Sequence, residues 1–211
     1  VKPGIFVYDM GINMVCFARI SGINGKNGDT LTLRFAELLH EDGTVAQENL
    51  RSAEATDRYI LNGSGDESWQ PHFTYHGFRY VQMEGFPGTP AETNLTGLRF
   101  YSAAEESGHF ASSSDLLNQI WANILNGQKG NMHSVPTDCP QRDERLGWMG
   151  DAQIFAPTSC YNMDMAGFYY KWMGDIIDSQ YESGHVHDVN PAIVVDGPAK
   201  AGWGDAVTVV P

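Results

Sequence analysis

The sequence predicts an antiparallel β-sandwich followed by a helical domain in one chain of 211 residues. Three observations support this fold class. The first hundred residues contain short runs rich in Val, Ile, Phe, Tyr and Thr, glycine-rich turns separate these runs, and helical periodicity begins only at about residue 112. We place the sandwich at 1–103, a linker at 104–112 and the helical part at 113–211.

Six runs of the first part have the composition of β-strands. Residues 30–35 alternate apolar with polar side chains, which is the pattern of a strand with one buried face. Glycine- and asparagine-rich stretches at 22–28 and 62–65 supply turns between runs. The predicted strands are 5–10, 14–22, 30–38, 57–63, 78–85 and 97–102.

Three helices are predicted in the second part. The first covers 112–127 and stops at Gly127, the second covers 151–162 with Asp151 as its N-cap, and the third covers 164–180. Apolar residues recur at helical spacing in the first and third helices, so we expect their aromatic residues to pack in a core. The two apolar stripes are Leu116, Leu117, Ile120, Trp121, Ile124 and Leu125, and Met165, Phe168, Tyr169, Trp172, Met173, Ile176 and Ile177.

Three helices with such broad apolar faces would leave part of that surface uncovered. The apolar run 207–210 also has nothing after it in the sequence that could cover it. We therefore expect this chain to be a piece of a larger protein.

The charge balance favours a neutral ligand such as a sugar. Thirteen Lys and Arg against twenty-six Asp and Glu give a net charge of −13, which disfavours nucleic acid and anionic membranes as partners. No run approaches the ~18 apolar residues of a membrane span, and we expect no cofactor. The scattered Cys16, Cys139 and Cys160 do not form a disulfide framework and are expected to be buried small side chains. A cytoplasmic and a periplasmic or secreted location in a bacterium stay open.

One stretch, DCPQRDERLGWMGD at 138–151, stands out from its surroundings. It holds four carboxylates, two arginines and a tryptophan in a predicted loop that leads into a helix. A tryptophan beside carboxylates favours a sugar pocket, because an indole covers the apolar face of a pyranose while carboxylates hold its hydroxyls. The alternative is a solvated loop with two surface ion pairs, formed by Arg142 and Arg145 with Asp143 and Glu144.

Hydrolysis of a glycosidic bond needs two carboxyl groups. One is a protonated acid that donates to the leaving oxygen, and the other is a carboxylate that acts as base or nucleophile. Asp143 and Glu144 are adjacent candidates for the acid, and spacing alone does not choose between them.

The segment VPTDCPQRDERLGWMGDAQIF, 135–155, closely resembles the signature of the bacterial-type α-L-rhamnosidases of glycoside hydrolase family 78. The segments at 33–61, 71–85 and 201–211 resemble the same family, so the resemblance extends in order over nearly the whole chain. It implies a β-sandwich that precedes an (α/α)6 catalytic barrel, of which this chain would contain the first helices. It also implies an inverting reaction without a metal ion, on rhamnose-containing glycosides or polysaccharides.

The resemblance further implies roles for individual residues. The glutamate of the RDER segment, Glu144, matches the general acid of the family. Asp138 and Asp151 match residues that hold rhamnose hydroxyls, and Trp148 and Trp203 match aromatic residues of the sugar pocket. Arg142 and Asp143 are expected to orient Glu144 and set its proton affinity.

The sequence departs from the family pattern in two respects. The general base of the family is a glutamate far downstream, which would lie beyond Pro211, and a complete barrel needs many more helices than three. We expect the rest of the barrel to cover the C-terminal part of this chain, and the 211 residues alone to lack normal turnover.

Three alternatives stay open on the residues alone. The chain could be a carbohydrate-binding or structural fragment without catalysis, or a piece of an (α/α)-barrel glycosidase with another sugar preference. His185 and His187, two apart and followed by Asp188, could bind a metal ion; a loop near the barrel mouth is the favoured reading of that segment.

Overall fold

The chain divides into two units, which the computed structural model describes for residues 2–195 and 197–211. The first unit contains the residues up to Phe100 together with Gln141–Asp143, and the second contains Tyr101–Pro140 and Glu144–Pro211.

The first unit is antiparallel throughout its described strand pairs, as predicted. Its main sheet has six strands in the order β5-β2-β7-β1-β6, with β8 also paired to β1, and β3 and β4 form a separate two-stranded sheet. The strands are β1 (Ile5–Ile23), β2 (Thr30–Ala36), β3 (Leu38–Leu39), β4 (Val45–Ala46), β5 (Thr56–Ile60), β6 (Glu67–Trp69), β7 (His76–Glu84) and β8 (Leu95–Arg99).

The strand β1 joins two runs that the sequence predicted as separate strands. Its register against β7 shifts between Asp9 and Met14, so residues 10–13 form a bulge. The Asp9 carboxylate holds this bulge, since it accepts the Gly11 N–H at 2.8 Å and two Arg79 N–H groups at 2.8 Å each. Hydrogen bonds, chiefly from the Arg79 side chain, lower the pKa of Asp9 to about 2.

One face of the sheet carries the core of the first unit. Alternate residues of β1 and β2 point to this face, as the pleat requires. The Phe35 ring lies 4.7 Å from the Phe78 ring and stacks on the His76 ring at 4.3 Å between centroids. Members of this core include Cys16, Ala18, Ile20, Leu31, Leu33, Phe35, Leu50, Leu61, Phe78, Val81 and Met83.

The second unit is mainly helical, which confirms the predicted change of fold type. Its elements are α1 (Asp115–Asn131), β9 (Met132–His133), β10 (Val135–Pro136), α2 (Met149–Asn162), α3 (Ala166–Asp178) and α4 (Ala206–Val209). Its core includes the predicted aromatic residues Tyr169 and Trp172, with Trp121 and Phe168 partly buried against it. None of the described helices combines the length and the apolarity that a membrane crossing requires.

Two predicted helix boundaries are wrong. The helix α1 runs past Gly127 to Asn131 because Gln128 is buried and doubly bonded, to the Ser159 carbonyl at 3.1 Å and to the Asn162 amide at 2.9 Å. The helix α2 begins at Met149, so Asp151 lies in its first turn and does not cap it. A carboxylate in that position still interacts favourably with the helix dipole.

The apolar stripe of α1 is largely exposed. Leu116, Leu117, Ile120 and Ile124 are between 38% and 69% exposed, and Leu125 is buried. This is the uncovered apolar surface that the sequence predicted. Cys16 and Cys139 are buried as expected, whereas Cys160 lies exposed on α2, so the prediction was wrong for that residue.

Candidate active site

The loop that carries the motif is closed at its base by two hydrogen bonds. The Asp138 N–H donates to the Leu146 carbonyl at 3.1 Å, and the Leu146 N–H donates to Asp138 Oδ1 at 3.0 Å. Within the loop, Arg145 has a φ of 58°, a left-handed conformation that residues other than glycine rarely adopt. The Asp138 side chain therefore has a structural role in addition to any contact with a ligand.

Both glycines of the motif stand where the backbone approaches another group closely. A Cβ on Gly147 would lie 2.1 Å from the Asn190 carbonyl oxygen, and one on Gly150 would lie 2.8–3.0 Å from indole atoms of Trp203. Any larger residue would displace these neighbours. The two glycines thus bring the 188–190 segment and Trp203 against the start of α2.

Asn190 fixes the C-terminal end of the loop to α3. It is fully buried, its N–H donates to the Gly147 carbonyl at 2.9 Å, and its carbonyl accepts the Trp172 indole N–H at 3.1 Å. Its side-chain amide oxygen accepts the Ser179 hydroxyl at 2.5 Å. Next to it, the Asp188 carbonyl accepts the Met149 N–H at 2.9 Å, which satisfies a backbone donor at the start of α2.

Glu144 is half-buried and held by the indole of Trp148. The Trp148 Nε1–H donates to Glu144 Oε1 at 3.0 Å, and Glu144 Oε2 lies 3.7 Å from the Cys139 thiol. That thiol donates to Asp138 Oδ2 at 2.8 Å. The three groups lie within 4.8 Å of one another.

A cavity of about 320 Å³ lies beside this cluster, within the size range of ligand pockets. Asp138 and Asp151 both contribute to its lining, so the structure brings the two predicted sugar-binding carboxylates to one cavity. The other polar groups in the lining are Gln128, Asn131 and Thr137, and the apolar ones include Ile124, Met132, Pro136 and Phe155.

The two predicted tryptophans lie at the start of α2. Trp148 precedes the helix and pairs with Val189 in an isolated antiparallel bridge, and its indole N–H donates to Glu144. Trp203 is 36% exposed and packs against Gly150, the residue before Asp151. Both indoles thus belong to the surroundings of the first turn of α2.

Arg142 and Asp143 lie in the segment that groups with the first unit. Arg142 is half-buried and Asp143 is exposed. The Asp143 carboxylate accepts both the hydroxyl and the N–H of Ser52. The hydroxyl bond is the main cause of a lowered pKa of Asp143, and the nearby Arg51 charge lowers it further.

His133 is also perturbed near the motif. Its Nε2 lies 3.0 Å from the Gly130 carbonyl oxygen. Burial lowers the pKa of His133, and the positive charge of Arg145 lowers it further. A neutral imidazole at this position avoids repulsion with that arginine.

Two places in the second unit have side chains of the types that bind metal ions. A thiolate with two carboxylates, as in Asp138, Cys139 and Glu144, could serve as ligands for a zinc ion. The thiol here donates a hydrogen bond to Asp138 instead. His185 is exposed and bonded to Ser183, whereas His187 is buried and bonded to the Ser179 carbonyl, so among the described residues these two histidines form no cluster with a third ligand.

Sequence reasoning missed the contributions of Cys139 and Asn190. Cys139 was predicted as a buried small side chain, which it is, but its thiol also joins two of the predicted site carboxylates. The position of Cys139 in the sequence, between Asp138 and Glu144, was the signal that could have indicated this contact. Asn190 gave no local signal, because its partners are as much as 43 positions away in the sequence.

Residues 105–211 match the family described as bacterial α-L-rhamnosidase 6 hairpin glycosidase domain, and residues 1–101 match the bacterial α-L-rhamnosidase concanavalin-like domain. The chain belongs to the bacterial α-L-rhamnosidase family. This membership confirms the sequence resemblance and the order of the two domain types.

Relatives within the rhamnosidase family are similar over the whole chain. The α-L-rhamnosidase of Streptomyces avermitilis is 50% identical over 210 residues, which cover 100% of this chain and 20% of the relative. Its crystal structure, complexed with L-rhamnose, matches 99% of this chain and 20% of that one with a TM-score of 0.95 and 49% identity. The α-L-rhamnosidase from Dictyoglumus thermophilum matches 99% of this chain and 24% of that one, with a TM-score of 0.97 and 44% identity. The chain spans about a fifth of the length of the curated relatives it matches.

Two glycines of the second unit, one closely packed and one with open space beside it, lead to opposite expectations for matched alanine variants. Gly147→Ala should destabilise the second unit by at least about 1–3 kcal/mol, because its Cβ would overlap the Asn190 carbonyl. Gly127→Ala is the control: Gly127 lies inside α1 with nothing within 4 Å of a Cβ, so this change should stabilise the helix by roughly 0.5–1 kcal/mol. Urea unfolding followed by circular dichroism measures both, and equal stability of the two variants would contradict the tight packing at Gly147.

Proposed function

We propose that the intact protein removes terminal α-L-rhamnose from rhamnosides, with Glu144 as the general acid. The observation that supports this most strongly is the position of the Glu144 carboxyl group. It is half-buried, bonded to the Trp148 indole and close to the Asp138 carboxylate. The indole bond holds the carboxyl group in one place, as a proton donor requires.

The proposed reaction inverts the configuration of the anomeric carbon. Glu144 transfers its proton to the glycosidic oxygen as the bond between that oxygen and the anomeric carbon breaks. A water molecule attacks the anomeric carbon from the opposite face, and a carboxylate base takes the proton that this water loses. We propose that the base lies outside these 211 residues, in line with the family resemblance and with the share of the relatives that the chain spans.

Sugar binding is assigned to Asp138 and Asp151 with the two tryptophans. Both carboxylates line the same cavity, where their oxygens could accept hydrogen bonds from rhamnose hydroxyls. Trp148 and Trp203 offer indole faces for the C–H groups and the methyl group of a 6-deoxy sugar. The bound L-rhamnose in the S. avermitilis relative supports this substrate class.

Arg142 and Asp143 are assigned to positioning the acid and not to contact with the sugar. Asp143 precedes Glu144 in the chain and is held by Ser52. The bond from the Ser52 hydroxyl lowers the pKa of Asp143 and so disfavours its protonated form, which favours Glu144 over Asp143 as the acid.

The effect of removing the general acid on the rate of turnover depends on the leaving group. In the intact protein, Glu144→Gln should lower kcat on a natural rhamnoside by about 10²–10⁴-fold, since that leaving oxygen needs a proton. Turnover of a dinitrophenyl α-L-rhamnoside, whose leaving group departs as an anion, should fall much less. Glu182→Gln, at an exposed glutamate of the second unit, is the control and should leave both rates unchanged. Unaltered activity of Glu144→Gln on the natural rhamnoside would remove Glu144 from its role.

The isolated 211-residue chain should bind L-rhamnose but hydrolyse rhamnosides poorly. With the base outside it, hydrolysis of an aryl α-L-rhamnoside should be lower than that of the intact protein by at least about 10²-fold. Calorimetry with L-rhamnose distinguishes a binding fragment from an inert one. Turnover equal to that of the intact protein would place the general base within these residues.

A further inference from the structure

A turn of the first unit holds the residue that precedes the proposed acid. Ser52 lies 91 positions before Asp143 in the sequence. Its backbone N–H donates to Asp143 Oδ2 at 3.3 Å, and its hydroxyl donates to the same oxygen. One carboxylate oxygen thus accepts two hydrogen bonds from one residue, which restricts the Asp143 side chain more than a single surface contact would.

The turn that presents Ser52 is strained. The Ala53 N–H bonds to the Leu50 carbonyl at 3.1 Å, and Arg51 between them has φ 58° and ψ −121°. These are the angles of the first central residue of a type II′ turn, where glycine is the usual residue. An arginine in this conformation is strained, and such strain is concentrated at functional positions.

The arginine has an electrostatic effect that a glycine could not supply. Its positive charge is close enough to contribute to the lowered pKa of Asp143, after the larger effect of the Ser52 hydroxyl. The strained turn therefore directs three favourable groups at one carboxylate: an N–H, a hydroxyl and a guanidinium charge.

A second contact holds the same segment two residues earlier. Gly77 on β7 lies so close to Gln141 that a Cβ would stand 2.9 Å from the Gln141 Cβ and 3.1 Å from its backbone N. The strand is a rigid element because it pairs with β1 on one side and β2 on the other. The segment 141–143 is thus fixed at both ends, by Gly77 and by Ser52.

We propose that Ser52 is a positioning residue for acid catalysis: by holding Asp143, it fixes the backbone that carries Glu144. This role rests on the proposed function of Glu144. The tripeptide before the acid then has little freedom, and a proton donor must stay within hydrogen-bond reach of the leaving oxygen. Ser52 supplies the restraint from a part of the sequence that has no other place in the chemistry.

The test compares two leaving groups in the intact protein. Ser52→Ala should lower kcat on a natural rhamnoside by roughly three- to tenfold, because even a small misplacement of a catalytic group slows the reaction. The KM and the turnover of a dinitrophenyl α-L-rhamnoside should change little. Ser52→Thr keeps the hydroxyl and should retain the rate. Ser64→Ala, at an exposed turn serine of the same unit, should have no effect.

A double variant shows whether Ser52 acts through Asp143. If it does, Ser52→Ala combined with Asp143→Ala should be no slower than Asp143→Ala alone, because contacting residues in one network are not additive. Carbon-13 NMR of the Asp143 carboxyl group gives a readout independent of activity. Its pKa should rise towards the ordinary aspartate value in Ser52→Ala and stay low in Ser64→Ala.

The outcomes separate this proposal from the proposed function. Three results would each overturn the positioning role: equal losses of kcat on both substrates with Ser52→Ala, additive losses of kcat in the double variant, or no loss of kcat with Ser52→Ala. The proposed function would still stand in each case if Glu144→Gln strongly lowers turnover of the natural rhamnoside. Full activity of Glu144→Gln would overturn the proposed function itself. Gly77→Ala tests the same restraint at Gln141. Its Cβ should push Gln141 away from β7 and, like Ser52→Ala, lower kcat on the natural rhamnoside more than on the dinitrophenyl substrate.

Discussion

The hydrogen bond from the Trp148 indole to Glu144 is the interaction on which the proposed chemistry depends. A carboxyl group that transfers a proton has to be held at one place and kept in its neutral form for part of the cycle. The indole holds one oxygen of Glu144 at 3.0 Å, while Asp138 and Cys139 lie near the other. Removing the indole would release the carboxyl group into a half-exposed loop, where water could replace the bond.

The indole can do this only because the backbone around it is fixed. Trp148 lies between Gly147, which packs on the Asn190 carbonyl, and Met149, whose N–H is satisfied by Asp188. These contacts tie the end of the loop to a buried segment and to α3. The loop that carries Glu144 is therefore irregular in conformation but held by rigid elements, a common arrangement for functional groups.

The sequence was most informative where the signal was local. The strand runs, the helical stripes and the residue types of the motif all have local patterns, and the fold class follows from them. The merger of two predicted strands into β1 was missed because a bulge at 10–13, held by Asp9, interrupts the alternation without ending the pairing. The end of α1 was misplaced because the burial of Gln128 outweighs the low helix propensity of Gly127.

In the candidate site, too, local features were predictable from the sequence and contacts between distant positions were not. The sequence indicated which carboxylates and indoles to consider, and the structure places Asp138 and Asp151 in one cavity. The sequence could not predict that Ser52 bonds to Asp143 or that Asn190 bonds to Gly147 at the end of the loop. These contacts join positions 91 and 43 residues apart and depend on how the chain folds. The two motif glycines became explicable only when the groups packed against them were known.

The proposed site places rhamnose between the two tryptophans and the carboxyl groups of the motif. A crystal structure of the intact protein with L-rhamnose is the most direct test of this placement. We expect the sugar against Trp148 and Trp203, its hydroxyls within hydrogen-bond distance of Asp138 and Asp151, and its anomeric oxygen within reach of Glu144. Rhamnose bound elsewhere, with its anomeric oxygen remote from Glu144, would overturn the proposed site.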